Sequence, residues 1–179
     1  MSAVHPQPLH RLDLVSVDVI SVIGTFEDLY RREYPGLVAV ATALTGDTRD
    51  GEDLVQDTMV KVFVHWGRVS RLSRPGAWCH HVLTNACRSL WRRRTTQQRH
   101  IYRRRREEAC QDGPSDEVIA FWAAVRTLPT RPRTVVALHF AGERTMAEIA
   151  SILDVPEGTV RSDIARARGF IIEQLRGEA

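Results

Sequence analysis

Between residues 75 and 94, Trp78 and Trp91 are interleaved with Asn85, Arg88, Arg92, Arg93 and Arg94. Aromatic faces stack on unpaired bases and guanidinium groups hold the sugar–phosphate backbone, so this mixture suits single-stranded or melting DNA. At least one of the two tryptophans, on separate turns, is also expected to serve a core. A second group, Thr159, Arg161, Ser162 and Arg166, follows a short turn at 154–158. An exposed helix N-terminus with outward cations and hydroxyls suits phosphate and base-edge contacts in a major groove.

Other chemistry is poorly represented. Cys79, His80, His81 and Cys87 are metal-ligating types, but Cys79 and Cys87 stand eight residues apart. That is about 12 Å along a helix axis, too far to share one ion. The sequence holds no Gly-rich phosphate loop, no nucleophile beside a recognisable base and no paired carboxylates suited to hydrolysis. The expectation is therefore no catalytic residue, no metal and no cofactor.

Charge is distributed unevenly. Residues 1–57 carry 10 acidic and 4 basic side chains, residues 58–106 none and 13, and residues 107–179 12 and 8, within a net charge of only +3. Forty-nine consecutive residues without a carboxylate create a local positive field that attracts a polyanion and releases its counterions. The three cysteines, Cys79, Cys87 and Cys110, are an odd number in a chain large enough to need no staples, which fits a reducing cytoplasm. The apolar stretch 12–24 is broken by Asp13 and Asp18 and reads as neither signal peptide nor membrane span.

The elements that position these residues read as helices throughout. Thr25 and Asp28 form a capping pattern, followed by Phe26, Leu29, Tyr30, Leu37, Val38, Ala41 and Leu44 at helical spacing. Pro35 should kink or break this helix, and Gly46 should end it. Asp50 and Asp53 repeat the capping signal before a second helix with an apolar stripe of Leu54, Val55, Thr58, Met59, Val62, Phe63 and Trp66. A basic loop, 67–74, leads to a third helix opening at Pro75 and running to about Arg94. Residues 95–115 lose apolar periodicity and read as a tether, whose first part could extend the third helix. Ser115 can cap a fourth helix burying Val118, Ile119, Trp122, Val125 and Leu128, with a short helix at 132–140 after it. Two further helices, 145–153 and 159–175, have helix-turn-helix spacing: Ala147, Ile149, Ala150, Ile152, Leu153, Val155, Val160 and Ile164 fall where the pair must cross closely. Thr159 can cap the second, with Val160, Ile164, Ala167, Ile171 and Leu175 facing inward.

Three segments together resemble the extracytoplasmic-function sigma factors of bacterial RNA polymerase: DGEDLVQDTMVKVFVHW at 50–66, AWCHHVLTNACRSLWRRR at 77–94, and Leu128-Pro129 followed by AEIASILDVPEGTVRSDIARAR at 147–168. The match runs from about 25 to 176, and nothing in it resembles region 1.1 or region 3. The resemblance implies an all-α fold of two small helical domains, a region 2 bundle at 25–94 and a region 4 helix-turn-helix at 116–176, joined by a flexible linker at 95–115. Residues 1–24 would be an N-terminal extension.

The resemblance also assigns roles. Glu52, Asp53, Gln56 and Asp57 would dock on core RNA polymerase. The loop 67–74 and Trp78 would capture an unpaired base of the minus-ten element, with Asn85, Arg88, Trp91, Arg92 and Arg93 contacting that element and its backbone. Thr159, Arg161, Ser162 and Arg166 would contact minus-thirty-five DNA. An anti-sigma partner is implied, and membrane insertion is not.

Two positions depart from the pattern. Asp154 stands where Gly is common in the turn, and Asp tolerates the left-handed conformation moderately well. Asp163 stands where a basic residue is frequent. It is expected to face DNA, repelling phosphates unless it accepts from a cytosine amino group, so that Asp163→Ala should tighten binding across sequences. From the residues alone, a helix-turn-helix regulator and an RNA-binding protein remain rivals, the first disfavoured by the basic, aromatic third helix.

Overall fold

The computed structural model describes residues 25–97 and 115–177. The expected extension, 1–24, and most of the expected linker lie outside those residues. The first module contains α1 (Phe26–Thr45), α2 (Thr48–Val64), the single turn α3 (Trp66–Val69) and α4 (Pro75–Gln97). The second contains α5 (Asp116–Thr127), α6 (Thr130–Phe140), α7 (Met146–Leu153) and α8 (Glu157–Gly177). Among the described residues no strand occurs.

Local signals set most boundaries. Thr25 and Asp28 form a reciprocal capping box, with Thr25 Oγ1 accepting from the Asp28 amide at 3.2 Å and Asp28 Oδ2 accepting from the Thr25 amide at 3.0 Å. Gly46 ends α1 in the left-handed region, at φ 77°. The break expected at Pro35 does not occur. The exposed ring removes one backbone bond, while Leu29 before it and Leu37, Val40 and Leu44 after it are buried in one core and hold the helix together. The cap of α2 is Asp47, not Asp50: Asp47 Oδ1 accepts from the Asp50 amide at 2.9 Å, so α2 starts at Thr48.

The first core gathers Leu29, Leu37, Val40, Val55, Met59, Val62, Cys79 and Leu83, and it continues into the second module through Val135, Leu138, Ile149 and Ile152. A smaller cluster joins Val125, Leu128, Val136, Ala167 and Ile171. Each valine, leucine, isoleucine or methionine among them contributes about 1.5–3 kcal/mol on full burial. Four large apolar side chains are not buried as expected. Phe63 is 63% exposed at the end of α2, touching Phe26 edge-on, while Val118 and Ile119 are each 42% exposed on the outer side of α5. Leu175, beyond the last buried position of α8 at Ile171, is also exposed. At Ser115 the side chain makes no capping bond, and Asp116 and Glu117 supply first-turn negative charge instead.

The helix-turn-helix forms with Ile149, Ile152 and Val160 buried as expected, whereas Ala147, expected at the crossing, is exposed. Thr145 and Glu148 make a second capping box. Asp154 adopts the left-handed conformation, at φ 53° and ψ 53°, so the turn survives without glycine. Thr159 does not cap α8. Its amide donates to Pro156 O at 2.9 Å, placing it inside the first turn.

The two modules meet. Glu33 of α1, 4% exposed, accepts from Arg32 Nε at 2.9 Å and from Arg144 Nη2 at 3.0 Å, with His80 Nε2 at 3.6 Å. The His80 imidazole foremost, with Arg32 and Arg144, holds the Glu33 carboxyl down at about 2 against its burial. Burial pushes the His80 pKa down, opposed by the Glu33 charge.

Candidate nucleic-acid interface

On α4, Trp78, Asn85 and Arg92 recur every seven residues and share one stripe, with His81 and Arg88 at helical neighbour positions beside it. The opposite side carries buried Cys79, His80, Leu83, Thr84 and Cys87. Trp78 is half-buried against the core and Arg88 half-buried, whereas Arg92 and Arg93 are exposed. Three of the six expected minus-ten residues therefore align, with Arg88 adjacent and Arg93 on the flank. Trp91 lies off the stripe. Its ring sits 3.8 Å below the Arg133 guanidinium of α6, a cation–π pairing at the mouth of a cleft also lined by Thr84, Arg88 and Leu90.

Asn85 is tied to the second module through His81, a residue the sequence marked only as a metal-ligating type. His81 Nδ1 is 2.8 Å from Ile152 O and His81 Nε2 is 2.9 Å from Asn85 Nδ2. These contacts fit one neutral tautomer, in which Nδ1 donates to the carbonyl and Nε2 accepts from the amide. The one available sequence signal was the spacing of His81 and Asn85, one turn apart. The partner, 71 residues away, carries no local trace.

Both thiols on the opposite side of α4 are buried. Burial pushes both Cys79 and Cys87 up to about 12, with the Glu33 charge adding to the effect on Cys79. Among the described residues no group of histidines, cysteines and carboxylates could hold a metal ion.

On α8, Arg161, Ser162 and Arg166 are exposed and Thr159 half-buried. Arg161 Nη2 donates to Glu157 Oε1 at 2.6 Å and Ser162 Oγ to Gly158 O at 2.9 Å. Asp163 overturns its expectation. It is 1% exposed, on the edge of the face that carries Val160 and Ala167, and it accepts from Arg131 Nε at 2.7 Å, Arg131 Nη2 at 3.2 Å and Arg166 Nη1 at 3.3 Å. A carboxylate so enclosed neither repels phosphates nor reads a base.

On α2, Glu52, Asp53, Gln56 and Asp57 are all exposed and stand one turn from one another in pairs, forming a single polar patch. Val60 and Val64, 61% and 68% exposed, continue it along the helix.

Two helical modules, one bearing a helix-turn-helix and the other an aromatic, cationic helix, define a DNA-binding transcription factor. The chain matches the family model for sigma-70 region 2 over residues 29–97 and that for sigma-70 region 4 over residues 119–171. It is 29% identical over 168 residues to the ECF RNA polymerase sigma factor SigM of Mycobacterium tuberculosis, covering 91% of this chain and 83% of that protein. Similarity to SigW of Bacillus subtilis is 25% over 152 residues, covering 74% and 79% of the two chains. The structure resembles the sigma factor RpoE of Bartonella quintana, solved with the anti-sigma factor NepR, at TM-score 0.69 and 26% identity over 84% of this chain and 96% of that one. CnrH, solved with the cytosolic domain of CnrY, shares the fold at TM-score 0.65 and 22% identity, over 93% and 97% of the chains. The chain belongs to the sigma-70 family as an RNA polymerase sigma factor of the extracytoplasmic-function type. Its function is to direct transcription initiation. Among the described residues no helix is long and apolar enough to cross a membrane.

Proposed function

We propose that the first module, 25–94, engages the minus-ten element through Trp78, Asn85, Arg88, Arg92 and Arg93, with Trp91 joining once Arg133 leaves its ring. The second module, 116–176, reads minus-thirty-five duplex through Thr159, Arg161, Ser162 and Arg166. Glu52, Asp53, Gln56 and Asp57 dock on core RNA polymerase. The alignment of Trp78, Asn85 and Arg92 on one stripe, inside a stretch without carboxylates, is the observation that carries this reading.

Asn85 is bonded to His81, which is bonded to Ile152 O, and Trp91 lies beneath Arg133. Engaging both promoter elements therefore requires the second module to move off α4, and polymerase docking supplies the work. Tethering two weak contacts then raises the effective concentration of the second. The chain performs no covalent step, takes no cofactor and acts in the cytoplasm, where the polymerase carries out the chemistry. An anti-sigma partner that covers both modules would hold the factor inactive; the similar sigma factor RpoE is solved in complex with an anti-sigma factor, NepR.

Run-off transcription tests this with purified core polymerase and templates randomised over the two promoter segments. The full chain should confer initiation from a selected subset of templates at a fixed start. DNA binding without initiation would instead favour a conventional helix-turn-helix regulator.

A further inference from the structure

We propose that Asp163 is a positioning residue for minus-thirty-five recognition, a buried carboxylate that brackets Arg131 of α6 and Arg166 of α8 and so sets duplex discrimination without touching DNA. This rests on the reading of α8 given above.

The geometry separates holding from contacting. Asp163 is 1% exposed, whereas the side chains of its two arginines are 53% and 69% exposed. Arg131 gives Nε and Nη2 to the carboxylate in a two-point pairing, which fixes the plane of its guanidinium. That leaves the Nη1 protons outside the pairing, on a side chain that is half exposed. Arg166 gives only Nη1, so its Nε and Nη2 edge stays available. One carboxylate thus orders two cations from different helices on one flank of the recognition helix, beside Ser162. Preorganised arginines lose less freedom on binding and present a defined fork rather than a diffuse charge. A base or phosphate out of register then meets donors that cannot swing to follow it.

The alternative is that the pair merely staples α6 to α8. The two roles part in what they move: a staple alters melting and weakens all duplexes alike, while a positioning residue alters the ratio between duplexes. The assay uses holoenzyme formed from the full chain and core polymerase. It compares duplexes enriched by wild-type holoenzyme from a pool randomised over the minus-thirty-five segment with the same duplexes scrambled in that segment. Asp163→Asn keeps the shape but removes the charge, and should lower the selected-over-scrambled ratio about tenfold, the scale of one well-oriented arginine contact. Arg131→Lys keeps the surface charge and the ion pair but loses the fork, so it tests the same idea if the buried variant does not fold. It should lower the ratio about threefold while the salt dependence of binding stays unchanged. Ratios within twofold of wild type in folded Arg131→Lys, or in folded Asp163→Asn, would overturn the proposal. Wild-type holoenzyme that enriches no sequence at all would overturn the minus-thirty-five reading itself, a different failure visible before any variant is made.

Discussion

Glu33 Oε2 and Arg144 Nη2 lie 3.0 Å apart although 111 residues separate them, and the carboxylate is almost wholly buried. This contact, with His80 alongside, joins the two modules through charge in a place where an unpaired ion would be costly.

The pair predicts a pH dependence. Glu33 falls from 4.5 in the unfolded chain to about 2 in the folded one, so its stabilisation is complete above pH 4.5 and is lost as pH drops towards about 2. The full effect is on the order of 3 kcal/mol. His80, held neutral by burial, adds a separate loss as pH falls through 6.5, because the unfolded chain takes up that proton first. Urea unfolding of Glu33→Gln should show a loss of about 3 kcal/mol at pH 7. The deficit should shrink below pH 4.5, and parallel pH curves for variant and wild type would contradict this account.

Gly76 is held to glycine by the same carboxylate. A Cβ there would run into Glu33 Oε1, whose place is fixed by Arg32 and Arg144. Gly76→Ala should therefore cost about 1–3 kcal/mol although alanine favours helices. Gly67→Ala, which meets nothing within 4 Å, should leave the melting midpoint near wild type and serves as the control.

The polar patch on α2 makes a binding prediction. Asp53 and Asp57 are exposed, so Asp53→Ala combined with Asp57→Ala should leave folding intact. Core polymerase affinity should nevertheless drop about tenfold, through loss of electrostatic complementarity. Titration of labelled core enzyme measures this, and unchanged affinity would remove these carboxylates from the docking surface.

What could be read from the sequence was what is local. The capping box of Thr25 and Asp28, the stop at Gly46 and the turn at Asp154 each depend on residues within one helical turn, and each formed. Asp50 misled because Asp47, one turn earlier, offers the same carboxylate and captures the Asp50 amide. Helical periodicity marked Phe63 as apolar, but it could not tell that the buried strip through Met59 and Val62 leaves Phe63 on its exposed edge. Asp163 was misread because its partner, Arg131, comes from a helix 32 residues away. The link from Asn85 through His81 to Ile152 was equally invisible, since a backbone carbonyl has no residue type to recognise.

In the proposed function, the cationic, aromatic face of α4 grips separated strands. Permanganate reactivity of unpaired thymines, read on a promoter with holoenzyme carrying Arg88→Gln, Arg92→Gln and Arg93→Gln together, tests it most directly. With core binding and melting midpoint preserved, reactivity at the minus-ten element should fall at least tenfold, in keeping with loss of several backbone contacts. Wild-type reactivity from that triple variant would contradict the account.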